Sequence, residues 1–416
     1  MKPYDVIVIG AGAAGLLAAG SAAEKGARVL VLEKMKREGR KLLITGKGRC
    51  NITNDLPASE FIKKVYPNGR FLRNVFAQFF SKDMLALLEK LKVKVVLERG
   101  GRYYPQSQKA SDVVNALRHW LQKLNVNLRF NQSVTQLLIE NDTIKGVQAG
   151  QQIFYADSVI IAAGGKSYPA TGSTGDGYHL AKQAGHSIND VRPALVPLEV
   201  DSAIPARLVD LTLKNINAVA WIDGKKAGKQ FGEMMFIPGG LDGPVILTLS
   251  RMVVDALRAG KKVTISIDLK SALDDKKLDN RFLRDLDANG KKKFRNVFSD
   301  WLPAQLVPVF MEELKLDGEK ECSQVSASER KAIRKLFKNW TFEVTGHRPW
   351  EEAIVTAGGV STAEVSPKTM ESKLITGLHF AGEVLDLDAE TGGFNLQIAW
   401  STGWVAGNEA TKKATP

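Results

Sequence analysis

The segment Tyr4–Glu33, YDVIVIGAGAAGLLAAGSAAEKGARVLVLE, constrains this chain more than any other stretch. Val6–Ile9 is a β-branched run of the kind that fills a strand buried on both faces. Gly10, Gly12 and Gly15 follow as G-x-G-x-x-G, and the small residues Ala18, Ala19 and Ala22 continue into the predicted helix. Gly26 is placed to stop that helix. Val29–Leu32 reads as a second strand and ends on Glu33. A lone G-x-G-x-x-G is weak. One that leaves a strand, opens a helix and meets an acid about 20 residues on predicts a βαβ unit built for a dinucleotide. Gly10 allows the tight turn, Gly12 lets the backbone approach a pyrophosphate, and Gly15 lets helix and strand close up. The free amides of the helix start, at Ala13 and Ala14, and the helix dipole favour phosphate. Glu33 accepts hydrogen bonds from a ribose and repels a 2′-phosphate.

The chain has 416 residues, enough for two or three domains. No run of about 18 apolar residues occurs, so no membrane-spanning helix is expected. The sequence enters a strand at once, without a signal-peptide pattern, and a cytoplasmic location is expected. The two cysteines, Cys50 and Cys322, exclude a disulfide scaffold, and no C-x-x-C thiol pair is present. No metal cluster is expected. Lysine and arginine exceed acids by 13. Much of that excess is scattered: Lys225, Lys226, Lys229, Lys261, Lys262 and Lys291–Lys293. No interleaved aromatics form an RNA-binding motif there, so a basic solvated surface is the favoured reading and nucleic acid the lesser one.

After Glu33 the pattern departs from a simple nucleotide-binding fold. Lys34–Asn54, KMKREGRKLLITGKGRCNITN, interleaves Gly39, Gly46 and Gly48 with Arg40, Lys41, Lys47 and Arg49. Such a loop suits an extended, phosphate-bearing cofactor lying across it. A mainly helical stretch follows to Lys123. Strands are then predicted at Val134–Glu140 and Thr143–Ala149, turning at Asn141-Asp142. Val159–Ala163 is a buried strand running into Gly164-Gly165, and a helix is predicted after Gly177 with Asp176 as its N-cap. From Val191 the alternating pattern predicts a small antiparallel sheet or barrel. Ser271–Asn339 is charged and helical, with a Ser326-x-x-Glu329 capping box. Gly392-Gly393-Phe394-Asn395 opens a last helix, whose small face (Ala399, Gly403, Ala406) is expected against the sheet.

Taken together, Gly10–Gly15 with Glu33, the stretch GRKLLITGKGRCNITN, the strand VIIAAGG with GGKSYPATGSTGDG, and the closing FAGE…GGFNLQIAWSTG resemble an FAD-dependent oxidoreductase. More narrowly, they resemble the BaiN-like family, also called aminoacetone-oxidase-family FAD-binding enzymes, over almost the whole chain. The resemblance implies an α/β fold: a Rossmann-like FAD-binding domain from residues 1–190 and 350–416, an inserted β-rich, barrel-like domain from 191–270 and 340–349, and a helical subdomain from 271–339. It implies noncovalent FAD. Gly10, Gly12, Ala13, Ala14, Gly15, Glu33 and Lys34 would hold the ADP half, with Val134 at adenine and Ala163 and Gly164 beside the cofactor. Arg40, Lys41, Thr45, Gly46, Gly48, Arg49, Cys50 and Asn51 would lie along pyrophosphate and flavin. Gly382 and Glu383 match the second pyrophosphate-side motif, with Glu where many flavoproteins have Asp. Phe394, Asn395 and Leu396 match the segment facing the flavin pyrimidine. Family members commonly carry Thr-His where this chain has Ile237-Pro238.

The implied activity is flavin hydride transfer to or from a small organic substrate. A tRNA-modifying or RNA-binding flavoprotein, favoured by the net charge, is the alternative. No second strand–G-x-G-x-x-G–helix occurs, so NAD(P)H is expected only as a transient donor in the substrate cleft. The five histidines (His119, His179, His186, His347, His379) are single and read as structural. Arg102 and Tyr103 are the candidates to reach substrate, and Cys50 reads as a packing residue. The sequence carries no signal for an oligomeric state.

Overall fold

The structure is a computed structural model that describes residues 3–412. It contains two compact units: residues up to Ala194 together with those from Trp350 onward, and Leu195–Pro349. Each has its own apolar core.

The first unit is built on a seven-stranded sheet. Tyr4–Ile9 pairs in parallel with Val29–Leu32 on one side and with Gln152–Ile161 on the other. Asn127–Arg129 and Leu378–Phe380 join these strands in parallel. The long strand Gln152–Ile161 also begins an antiparallel meander with Thr143–Ala149 and Val134–Glu140. Val6–Val8 and Val159–Ile161 are fully buried, as the β-branched runs require. Two helices pack on each other beside this sheet: Ala13–Glu24 and Phe394–Glu409. Their approach is close because glycines face backbone. A Cβ at Gly403 would lie 2.3 Å from the Ala14 carbonyl oxygen, and one at Gly407 would lie 2.1 Å from that of Ala18. The small face of the last helix therefore meets the first helix at Gly403. A smaller antiparallel sheet of Thr53–Asn54, Arg102–Pro105 and Val95–Glu98 completes the neighbourhood of the site.

In the second unit six strands close into a barrel: Leu198–Val200, Gly240–Asp242, Lys225–Ile237, Thr212–Ile222, Val263–Asp268 and Trp340–His347. The helix Pro244–Arg258 packs on these strands and buries Val245, Ile246, Leu249 and Val253 among them. Its helical period is hidden in a β-branched composition; Pro244 at the first helical position is the signal that marks it. Between the last two barrel strands come four helices, Asp275–Ala288, Phe294–Trp301, Leu306–Glu313 and Ala327–Lys338. An aromatic cluster of Phe282, Phe298, Trp301, Phe310 and Phe337 holds them. Ser326 and Glu329 form the expected capping box.

Candidate functional site

The fingerprint glycines meet the end of the Gln152–Ile161 strand. A Cβ at Gly10 would sit 2.7 Å from the Ala162 carbonyl oxygen and 3.1 Å from the Ala163 Cα; one at Gly15 would sit 1.9 Å from the Gly10 carbonyl oxygen. Both positions admit glycine only. Gly12 is different: a Cβ there would meet nothing within 4 Å. The open space at Gly12 is where a pyrophosphate needs room, so this stretch fits a dinucleotide. Glu33 closes the loop from the other side. Its Oε2 accepts the Ala11 amide at 2.7 Å and its Oε1 the Met35 amide at 2.8 Å. A carboxylate has about four acceptor positions, so two remain for ribose hydroxyls. The loop leading to Val134 lies beside it: Gln132 N–H donates to the Glu33 carbonyl at 2.9 Å. Lys34 turns to Asp176 at 2.6 Å, tying the second strand to the helix Asp176–Gln183. Gly175, not Asp176, is that helix's N-cap; Asp176 is its first residue and accepts from Lys34 and Thr174.

The stretch 40–51 is not wholly a loop. Arg40–Gly48 is helical at its start and breaks at Thr45–Lys47, where Gly46 and Lys47 have φ of 58° and 59°. Gly48 (84°) and Cys50 (62°) are also left-handed, on either side of Arg49 at −95°. The break turns the chain so that Gly46 passes Tyr104, whose ring would lie 3.4 Å from a Cβ there. The Arg49 guanidinium stacks over the same ring at 4.0 Å and pairs with Glu98. Arg40 donates to the Ala170 carbonyl at 3.0 Å. Thr45 caps the Leu42 carbonyl at 2.7 Å. Cys50 is fully buried; burial pushes its thiol up to about 12 against the opposing bond to Thr45. It is inert as a nucleophile at neutral pH. Asn51 Oδ1 is buried and finds no partner among the described residues, while Gly393 stands where a Cβ would come within 2.9 Å of it. An orphaned buried acceptor beside a helix start fits a polar cofactor edge arriving there.

A polar cluster that the sequence does not reveal holds Lys41. Its Nζ donates to Glu383 Oε2 and to Ser167 Oγ, both at 2.6 Å. Glu383 Oε1 accepts from Ser167 Oγ at 2.9 Å and from the Thr356 amide at 2.8 Å. Thr356 Oγ1 in turn accepts the Lys166 and Ser167 amides. Ser167 and Thr356 lie in stretches that read as ordinary turn and strand, and four separate segments must meet before the cluster exists. Gly382 N–H donates to Thr402 Oγ1 at 2.9 Å, fixing the motif on the last helix.

At that helix's start, the Phe394 ring packs edge-on to Phe61 at 4.6 Å. The Asn395 side chain is used locally: Oδ1 accepts the Ala389 amide at 2.9 Å and Nδ2 donates to the Ala389 carbonyl at 2.8 Å. Its backbone, and that of Leu396, is left to the positive end of the helix. Ala163 and Gly164 (φ 73°) leave the buried strand next to Gly10.

The two substrate candidates separate. Tyr103 donates its hydroxyl to Asp55 at 2.9 Å, and burial together with that carboxylate pushes its phenol up. By strand alternation Arg102 shares its face with Tyr104, the side of the glycine-broken helix. Elsewhere in this unit His186 lies between Glu364 (3.2 Å) and Ser372 Oγ (2.7 Å). This Ser–His–Glu row is a brace: Ser372 Oγ already accepts the Leu374 and Ile375 amides at 3.0 and 2.9 Å. Burial lowers the imidazole below its ordinary range.

Residues 4–409 match the family model described as the HI0933-like protein Rossmann domain. The 3-dehydro-bile acid delta(4,6)-reductase of Clostridium scindens is 31% identical over 98% of both chains. The ribosomal RNA dihydrouridine synthase of Escherichia coli is 29% identical, again over 98% of both chains. Among solved structures, a Mycobacterium smegmatis Sdh1 complex in the apo form superposes with a TM-score of 0.53 at 18% identity, covering 98% of this chain and 68% of that one. No helix among the described residues is long and apolar enough to cross a membrane.

Proposed function

We propose that this chain, which belongs to the HI0933-like Rossmann-domain family and is an FAD-dependent oxidoreductase, saturates a C=C bond conjugated with a carbonyl group. The observation that carries this reading is the bond change shared by the two full-length relatives. A delta(4,6)-reductase acting on a 3-dehydro-bile acid and a synthase of dihydrouridine both remove a double bond in conjugation with a carbonyl. FAD, when bound, would supply the hydride chemistry, with a nicotinamide dinucleotide as the proposed donor. The protein's part is to bind, orient and exclude water. Gly10–Gly15 and Glu33 would hold the ADP half; the broken helix 40–51 and the Lys41–Glu383–Ser167 cluster would hold the region of the pyrophosphate and flavin. The start of the helix Phe394–Glu409 carries a partial positive charge that would stabilise negative charge developing on a flavin held there.

The substrate is a small conjugated carbonyl compound on this reading. A uridine base in RNA is the second, and one surface favours it. Lys225, Lys226, Lys229, Lys261 and Lys262 are exposed around one end of the barrel, where Asp223 N–H donates to the Lys262 carbonyl. None of the five forms an ion pair among the described residues, although the Asp223 carboxylate sits at the same turn and accepts the Lys262 amide at 3.1 Å. Five exposed lysines against one acid, Asp223, match a phosphate backbone. The test is product mass: holoenzyme supplied with NADH or NADPH and either a 4-en-3-one steroid or a uridine-rich RNA transcript should add two hydrogens to one of them. Addition to neither, with a flavin that the donor does reduce, overturns the reading.

A further inference from the structure

We infer that a cavity beside the start of the last helix is an anion subsite, which takes a phosphate or carboxylate group of the substrate through Arg102. The cavity, about 260 Å³, is walled by Asn54–Leu56, Gly100–Arg102, Thr391, Gly392 and Phe394, all in the first unit. The inference rests on the reductase reading only for the word substrate; the binding of an anion stands apart from it.

The geometry holds the cavity open. Gly100 and Gly101 turn with φ of 79° and 71°, and Gly392 has φ of 131°. A Cβ at Gly101 would meet Asn54 Oδ1 at 3.0 Å, and one at Gly392 would meet the Phe394 ring at 2.9 Å. Asn54, almost fully buried, stitches the two glycine turns together: its Nδ2 donates to the Gly100 and Gly392 carbonyls at 3.1 and 2.9 Å, and its Oδ1 accepts the Leu56 amide at 3.1 Å. The wall is thus preformed, and its amide is already spent on protein.

Charge decides what enters. Arg102 is half-buried and has neither an ion pair nor a hydrogen bond to an acid among the described residues. Its cross-strand neighbour Glu98 hydrogen-bonds Arg49 and Gln108 and reaches Arg102 only as a nearby charge. The positive end of a 16-residue helix borders the same space. One carboxylate, Asp55, also lines it and accepts from Tyr103. A planar guanidinium with no ion pair of its own, in a space of this size, recognises an oxyanion by paired N–H···O bonds. Phosphate from a nucleotide and carboxylate from a small acid share that chemistry.

The test is calorimetric titration of the FAD-loaded protein with inorganic phosphate, acetate, uridine 5′-monophosphate and a steroid carboxylate. Saturable binding of at least one is expected. Arg102→Gln should weaken it tenfold or more, and Arg102→Lys should weaken it less. Asp55→Asn keeps an acceptor for Tyr103 but removes the opposing charge, so it should tighten the same anion. Bound-FAD content and melting temperature without anion establish that each variant is folded. Preference for the nucleotide assigns a phosphate source, and preference for the steroid carboxylate a small acid. No saturable binding by any probe, or binding unchanged in a folded Arg102→Gln protein, overturns the inference. A protein that binds anions yet saturates no C=C bond would refute the reductase reading and leave the subsite standing.

Discussion

Replacing Glu33 separates the proposed cofactor role from the scaffold role that its two amide contacts show. Its two oxygens hold the Ala11 and Met35 amides. Ala11 is fully buried, so Glu33→Ala leaves a buried N–H unsatisfied, at a cost of about 1–3 kcal/mol. The Met35 amide is less buried and adds less. The remaining acceptor positions face the ribose in the proposed complex. Losing a charge-assisted bond there costs about 1.5–3 kcal/mol, or roughly ten- to hundredfold in FAD affinity. Glu33→Gln keeps the shape and one acceptor, so it should melt closer to wild type than Glu33→Ala does. It should still lose FAD affinity, because its amide nitrogen meets a backbone N–H. The assay is fluorescence titration of apo-protein with FAD, beside a denaturation curve without FAD. Unchanged FAD affinity in folded Glu33→Ala refutes the cofactor role.

Gly407→Val drives a side chain into the Ala18 carbonyl and should destabilise by about 1–3 kcal/mol or more, read as a lower melting temperature. Cys50, with its thiol at about 12, should resist iodoacetamide at pH 8 in folded protein and react only after unfolding. His186 and His379 are both lowered, first by burial, so the unfolded chain binds more protons just below the ordinary histidine pKa. Stability should be full above about pH 6.5 and fall as pH drops from there through the folded-state values, with a shallower slope in His186→Gln; a melting temperature that rises between pH 7 and 5.5 would contradict this. Glu383→Gln should weaken FAD binding by loosening Lys41 while the barrel unit's unfolding stays unchanged.

The first βαβ unit was legible because its physics is local: a β-branched run, glycines where no Cβ fits, and an acid at the next strand end. The barrel was legible from alternation after Val191. The helix Pro244–Arg258 was not, because Val, Ile and Thr mimic a strand and only burial against the barrel reveals its period. The stretch 40–51 read as a loop from its glycines. Yet Arg40–Leu43 has good helix formers, and the glycines only set where the helix breaks. The Lys41–Glu383–Ser167–Thr356 cluster joins residues up to 342 positions apart, so no sequence window contains it. The cavity at Arg102 was half legible. Arg102 stood out as a candidate, but that it makes no direct ion pair with Glu98 depends on Arg49 claiming that acid.

The most direct test of the proposed reaction is an anaerobic single turnover. Holoenzyme is reduced stoichiometrically and mixed, without oxygen, with a conjugated carbonyl acceptor or with its saturated counterpart. The account predicts that oxidised-flavin absorbance returns with the conjugated acceptor, one product molecule carrying two added hydrogens for each flavin reoxidised, and stays absent with the saturated one. Flavin that stays reduced with every conjugated acceptor, the uridine-containing RNA included, would contradict it.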